Sequence, residues 1–183
     1  IPKLVLMAEF AADTDEEART IAINAEKSLR FFGLATHITA TQSEANKFWT
    51  IRRESFKLLR ENVADKHTAP FIDDFVVKPE YLPEFLPRLY DILDEYKLLY
   101  TVAGHVGDGN FHIIPLMDFT RPDFVKIVNE LSDRVYTLVG EYHGSITGEH
   151  NDGLIRTPYL HKMFDSEMLS VFQEIKEIFD PHR

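Results

Sequence analysis

Two histidines, His105 and His112, bracket Val-Gly-Asp-Gly-Asn-Phe near the middle of a 183-residue chain. Imidazole serves equally as a metal ligand and as a proton acceptor near neutral pH. Gly107-Asp108-Gly109 lies between apolar runs and is a strong hairpin signal, because glycine accepts the positive φ that tight turns need. With Asp108 and Gly109 at the centre of a two-residue type I′ turn, Gly107 pairs with Asn110, Val106 with Phe111 and His105 with His112. Directly opposed residues of an antiparallel pair have Cβ atoms about 4.5–5.5 Å apart on one face. Two imidazoles so placed can share one metal ion.

A third ligand is available downstream, where the glycine-bounded segment 144–153 carries adjacent Glu149 and His150. Two histidines and a carboxylate with open coordination positions suit zinc, manganese or iron acting as a Lewis acid. A lone histidine among the 8 would carry no such argument; the two motifs together do.

The elements that must position these groups follow from periodicity. Leu4 to Ala11 is apolar and bounded, and reads as a buried strand. Thr14-Asp-Glu-Glu17 is a capping box opening a helix with the stripe Ala18, Ile21, Ala22, Ala25, Leu29 and Phe32, stopped by Gly33. Ala35 to Thr41 reads as a short strand. A helix from Ser43 to about residue 64 turns inward Phe48, Arg52, Phe56, Leu59 and Val63, beside Trp49. Arg52 stands out, since a guanidinium on an apolar stripe needs an anionic partner, whether a substrate or an internal carboxylate. Residues 70–77 read as a strand with the acidic pair Asp73-Asp74 at its centre, Asp74 expected to cap or to meet a basic residue. Pro79 starts a helix with Leu82, Phe85, Leu86, Leu89 and Leu93 inward. Helices over 123–142 and around Met168 to Ile178 follow, and Arg156 between them reads as a surface residue. Helices mixed with a sheet that includes a hairpin predict an α+β fold, its antiparallel or mixed sheet covered by helices on one face.

His105-Val-Gly-Asp-Gly-Asn-Phe-His112 followed by Gly148-Glu149-His150 resembles the signature of the FAD-linked oxidase C-terminal domain. Trp49-Thr-Ile-Arg52, Asp73-Asp74 and Phe179-Asp180-Pro181 fit the same pattern in order. That domain belongs to the D-lactate dehydrogenase, glycolate oxidase and D-2-hydroxyglutarate dehydrogenase group of vanillyl-alcohol-oxidase-like flavoproteins. The resemblance implies a ferredoxin-like cap over the flavin of a separate FAD-binding domain. It implies a divalent metal on His105, His112 and Glu149, His150 as general base, and Arg52 on the carboxylate of a small 2-hydroxy acid. Electrons would pass from FAD to an unidentified acceptor. Two departures matter. Asn151-Asp152-Gly153 replaces the Gly-x-Gly that follows Glu-His in many relatives, and Ile72 and Ile114 stand where dicarboxylate-specific members have Lys and Asn. Loss of both polar groups favours a monocarboxylate with a small or apolar substituent. The competing class is a non-catalytic ferredoxin-like metal-binding or interaction module.

Composition is compatible with this. The chain fits a single domain over 1–183, expected to be excised from a longer protein, with 44% hydrophobic and 27% charged residues. A net charge of -10 argues against nucleic-acid partners. The absence of Cys removes disulfides and thiolate ligands, and no apolar run is long enough to be a membrane span. A cytoplasmic location is expected, any membrane association being peripheral and through the electron acceptor. No glycine-rich phosphate cradle is present, so FAD is expected to be held by an upstream domain.

Overall fold

The computed structural model describes residues 4–63 and 65–182, and the side chains of Phe56, Leu58, Leu59 and Asn62 lie outside the described set. The chain divides into two compact units, residues 1–58 and 59–183.

In the first unit, α1 (Asp15–Leu29) starts on the expected capping box. The Glu17 amide donates to Thr14 Oγ1 at 3.2 Å, and the Thr14 amide donates to Glu17 Oε2 at 3.2 Å. Gly33, at φ 63°, closes the turn Arg30–Phe32 that follows. α2 spans Gln42–Asn62. The strands expected over Leu4 to Ala11 and Ala35 to Thr41 do not form: both segments lack a hydrogen-bonded ladder among the described residues. A strand needs a partner for its amides and carbonyls, and local apolar composition does not supply one.

The second unit holds the antiparallel sheet. β4 (Asn110–Met117) is central, with β3 (Leu99–Ala103) on one side and β1 (His67–Thr68) and β2 (Ile72–Val76) on the other. α3 (Leu82–Glu95) links β2 to β3, and α4 (Phe124–Glu141) follows β4. An isolated antiparallel bridge then sets Ser145 beside Val76, sealed by reciprocal amide–carbonyl bonds of 2.8 Å. Counting that bridge as a fourth position, β2, α3, β3, β4, α4 and Ser145 reproduce the ferredoxin-like order 4-1-3-2. α5 (Gly153–Arg156) and α6 (Ser166–Phe179) complete the chain.

Side chains alternate along β4, so its two faces differ. Phe111, Ile113 and Met117 join Phe75, Phe85, Leu89, Leu131, Val135 and Val139 in the core beneath α3 and α4. Asn110, His112 and Ile114 therefore share the opposite face. The hairpin forms, but its register differs from the expected one. Ala103 pairs with His112 and Val102 with Ile113. The connection is a four-residue loop, with a tight turn over Val106–Asp108 and Gly109 left-handed at φ 72°. The Asn110 amide donates to the His105 carbonyl at 3.2 Å, which places His105 opposite Asn110 rather than His112. A Cβ on Gly109 would lie 1.8 Å from the Val77 carbonyl oxygen, so close packing against the end of β2 fixes this loop.

Candidate functional site

The site face of the sheet is shaped by a break in β2. Ile72 pairs with Ile113 and Phe75 with Phe111, so two residues, Asp73 and Asp74, oppose the single His112. This is a β-bulge, which bends its strand and re-aims side chains. Asp74 takes φ 65°, a left-handed conformation that a short polar residue tolerates better than a bulky one.

Asp74 is fully buried and acts as an anchor. Its carboxylate accepts the amides of Gly148 at 2.9 Å, Glu149 at 3.1 Å and His150 at 2.8 Å, and Asn110 Nδ2 at 3.0 Å. Burial pushes the carboxyl up, but the amide bonds together outweigh it and hold it at about 2. Asp74 thus caps the loop that carries Glu149 and His150, as its sequence context suggested.

Asp73 faces the histidines. Its Oδ1 lies 2.9 Å from His112 Nδ1 and its Oδ2 lies 3.2 Å from His150 Nδ1. The two rings stack with centroids 4.8 Å apart and planes 13° apart. Glu149 Oε1 sits 2.9 Å from His112 Nε2 and 3.7 Å from both His105 Nε2 and His150 Nε2. The hydrogen bond with Asp73 raises the His112 pKa above the usual histidine value despite burial, and Glu149 adds to the rise.

The structure therefore brings His105, His112, Glu149 and His150 together. One ligand atom from each of His105, His112 and Glu149 lies within 4.8 Å of the others. Zinc bonds of about 2.0–2.2 Å require tetrahedral ligands roughly 3.3–3.6 Å apart, a spacing reached by small side-chain rotations. Asp73, Asp74 and Glu149 have no Lys or Arg side chain in ion-pair contact among the described residues. Several carboxylates gathered around imidazoles form a donor set suited to a divalent cation.

Arg52 lies on α2 in the other compact unit and is exposed. Its expected setting on a buried stripe is not found: Phe48 is itself 37% exposed, and the Phe56 and Leu59 side chains lie outside the described residues. Arg156 departs from its surface expectation. It is buried, donating through Nη1 to the Asp73 carbonyl at 2.8 Å and through Nε to the Asn151 carbonyl at 3.1 Å. Ile72 belongs to the core and is fully buried there, so it does not line the site; Ile114 shares the face of His112. The contribution of Asp73 was missed in the sequence, where only its unusual place in an apolar strand marked it.

A family model described as FAD linked oxidases, C-terminal domain, matches residues 3–183. D-2-hydroxyglutarate dehydrogenase of Pseudomonas putida is 35% identical over 147 residues, covering 80% of this chain and 14% of that protein. Mitochondrial D-lactate dehydrogenase [cytochrome] of Arabidopsis thaliana is 33% identical over 144 residues, covering 78% of the chain and 25% of the relative. Glycolate oxidase subunit GlcD of Escherichia coli is 29% identical over 149 residues, covering 80% and 29%. The chain thus spans less than a third of the length of each of these relatives.

Proposed function

Because this chain belongs to the FAD-linked oxidase C-terminal domain family, we propose that it is the substrate- and metal-binding part of an FAD-dependent 2-hydroxy-acid dehydrogenase. The observation that carries this reading is the convergence of His105, His112 and His150 Nε2 atoms on one Glu149 oxygen. His105, His112 and Glu149 would hold a divalent cation, and FAD would be held by a part of the protein outside these residues. When bound, the cation supplies Lewis acidity at the substrate hydroxyl and FAD supplies the acceptor for two electrons and a hydrogen.

This chain's residues do the rest. The substrate loses its hydroxyl proton and the hydrogen on C2 with its electron pair, giving the 2-oxo acid. His150 takes the hydroxyl proton at Nε2, because its Nδ1 is engaged by Asp73. The family resemblance assigns Arg52 to the substrate carboxylate, which a guanidinium pairs with bidentately. Ile114, apolar beside His112, favours a small or apolar substituent, as in lactate or glycolate. No helix among the described residues is long and apolar enough to cross a membrane. A cytoplasmic location, with electrons leaving to a separate acceptor, belongs to the same proposal.

Anaerobic reduction of bound flavin by 2-hydroxy acids tests this in the full-length protein. Chelation should abolish reduction, and added Zn²⁺ or Mn²⁺ should restore it. Unchanged reduction after complete metal removal would overturn the metal-assisted reading. A full-length protein that holds metal but no flavin would instead support the non-catalytic module.

A further inference from the structure

Asp73 has one carboxylate oxygen for each of two imidazoles. Oδ1 is 2.9 Å from His112 Nδ1, and Oδ2 is 3.2 Å from His150 Nδ1. An ionised carboxylate only accepts hydrogen bonds, so each of those Nδ1 atoms must carry hydrogen. In a neutral ring the lone pair then belongs to Nε2. His112 Nε2 lies 2.9 Å from Glu149 Oε1 and donates there while the ring is charged. The neutral ring keeps its hydrogen on Nδ1, whose partner Asp73 is 12% exposed against 48% for Glu149. His150 Nε2 stands 3.7 Å from Glu149 Oε1, beyond hydrogen-bond reach. The parallel stacking of the rings allows one carboxylate to reach both Nδ1 atoms.

Asp73 is itself held firmly. Its side chain is only 12% exposed, and its backbone carbonyl accepts from the buried Arg156 at 2.8 Å. The bulge at Asp73-Asp74 directs it to the histidine side, while neighbouring Ile72 and Phe75 remain in the core. His105 has no comparable carboxylate: its one ion pair among the described residues is with Glu149 at 3.7 Å.

We infer that Asp73 is a shared positioning residue, fixing His112 and His150 in the same Nδ1–H tautomer so that one ring offers Nε2 to a metal and the other offers Nε2 to a proton. The two roles of Nε2 rest on the proposed function; the tautomers do not. A carboxylate bonded to a metal-ligating imidazole is a familiar arrangement. Here the same carboxylate also orders the second ring, coupling ligand and base through one side chain.

Asp73→Asn makes the coupling visible. A carboxamide offers one acceptor oxygen and one donor NH₂, so it cannot accept from both Nδ1 atoms. At least one ring must then move its hydrogen to Nε2. The test is a long-range ¹H–¹⁵N correlation spectrum of ¹⁵N-histidine-labelled protein, without metal, at alkaline pH where the rings are neutral. In the wild-type protein both His112 and His150 should be Nδ1–H tautomers, and in Asp73→Asn at least one should become Nε2–H. Either wild-type ring found as Nε2–H overturns the inference, and that result needs no variant to fold. A second readout is Zn²⁺ affinity by chelator competition, expected to fall roughly 10–100-fold in Asp73→Asn. A folded Asp73→Asn with lowered thermal stability but unchanged tautomers would assign Asp73 a purely structural role. If His112→Ala leaves metal binding intact while the wild-type tautomers are as stated, the metal reading fails and the tautomer assignment stands.

Discussion

The sheet side and the loop side of the site are built differently. On the sheet, Asp73, Asp74, Asn110 and His112 are buried, and each makes its contacts from a strand whose other face is core. On the loops, His105, Glu149 and His150 are exposed, and the Glu149-His150 backbone is tied to the sheet through the single carboxylate of Asp74. The buried half holds His112 and Asp73 in place, and the tethered half brings Glu149 and His150 to them. The lesson is that a site can be precise where only one of its sides is buried, provided the tether between them is strong.

Asp74→Ala should break the comparison most severely. It removes the acceptor for three backbone amides and Asn110, leaving partly buried donors unpaired at about 1–3 kcal/mol each. A loss of about 3 kcal/mol or more is expected in chemical denaturation. A loss under about 1 kcal/mol would mean that the loop does not depend on this anchor.

Acid should cut the same tether reversibly. The Asp74 pKa is lowered from 3.8 to about 2 in the folded protein. Its contribution is therefore present above pH 4 and is lost as pH falls towards 2, where the folded carboxylate also protonates. The shift corresponds to about 2 kcal/mol. Denaturation series for wild type and a folded Asp74→Asn should converge across that window; curves that stay parallel would sink the assignment.

Arg52→Lys in the full-length protein tests the proposed carboxylate-binding role of this residue. Lysine keeps the charge but lacks the planar fork. kcat/KM should fall roughly 10–100-fold with flavin content and thermal stability intact. Lowered stability with unaltered turnover of the folded fraction would make Arg52 structural.

A smaller effect is expected in metal-free protein. The His112 pKa is raised by Asp73 and Glu149. Its stabilising contribution is therefore fully present below the ordinary histidine pKa and declines as pH rises through the raised one. Metal binding should show the opposite trend, because the cation competes with the proton on His112 Nε2. Stability that climbs with pH across this range without metal would contradict the Asp73–His112–Glu149 arrangement.

Much of this was legible in the sequence wherever the signal was local. The capping box at Thr14 and Glu17, the stop at Gly33 and the inward stripe of α3 depend on residues within a turn or two of one another. The hairpin was legible as a hairpin, but Gly-Asp-Gly could not specify its loop length. Gly109 is demanded by the Val77 carbonyl, far away in sequence, whereas a Cβ on Gly107 would meet nothing within 4 Å. His105, His112 and Glu149 were singled out by type and spacing and the structure brings them together, but the pairing expected to set His105 opposite His112 is not the one formed. The bulge was not legible, because two consecutive acids in an apolar strand do not reveal that both leave the core. Arg156 was misjudged for a related reason: its partners are backbone carbonyls of Asp73 and Asn151, which no side-chain pattern announces.

Metal stoichiometry and affinity, measured on wild type and His112→Ala purified without chelator and then titrated with Zn²⁺ and Mn²⁺, bear most directly on the site. His112 is the ligand candidate whose second nitrogen is already engaged by a carboxylate, at 2.9 Å from Asp73. Wild type should bind one divalent ion per chain. His112→Ala, folded and of comparable stability, should lose that ion or bind it at least about 100-fold more weakly, since both a ligand and its orienting hydrogen bond are gone. Equal stoichiometry and equal affinity in the two proteins would contradict a metal centre at His105, His112 and Glu149.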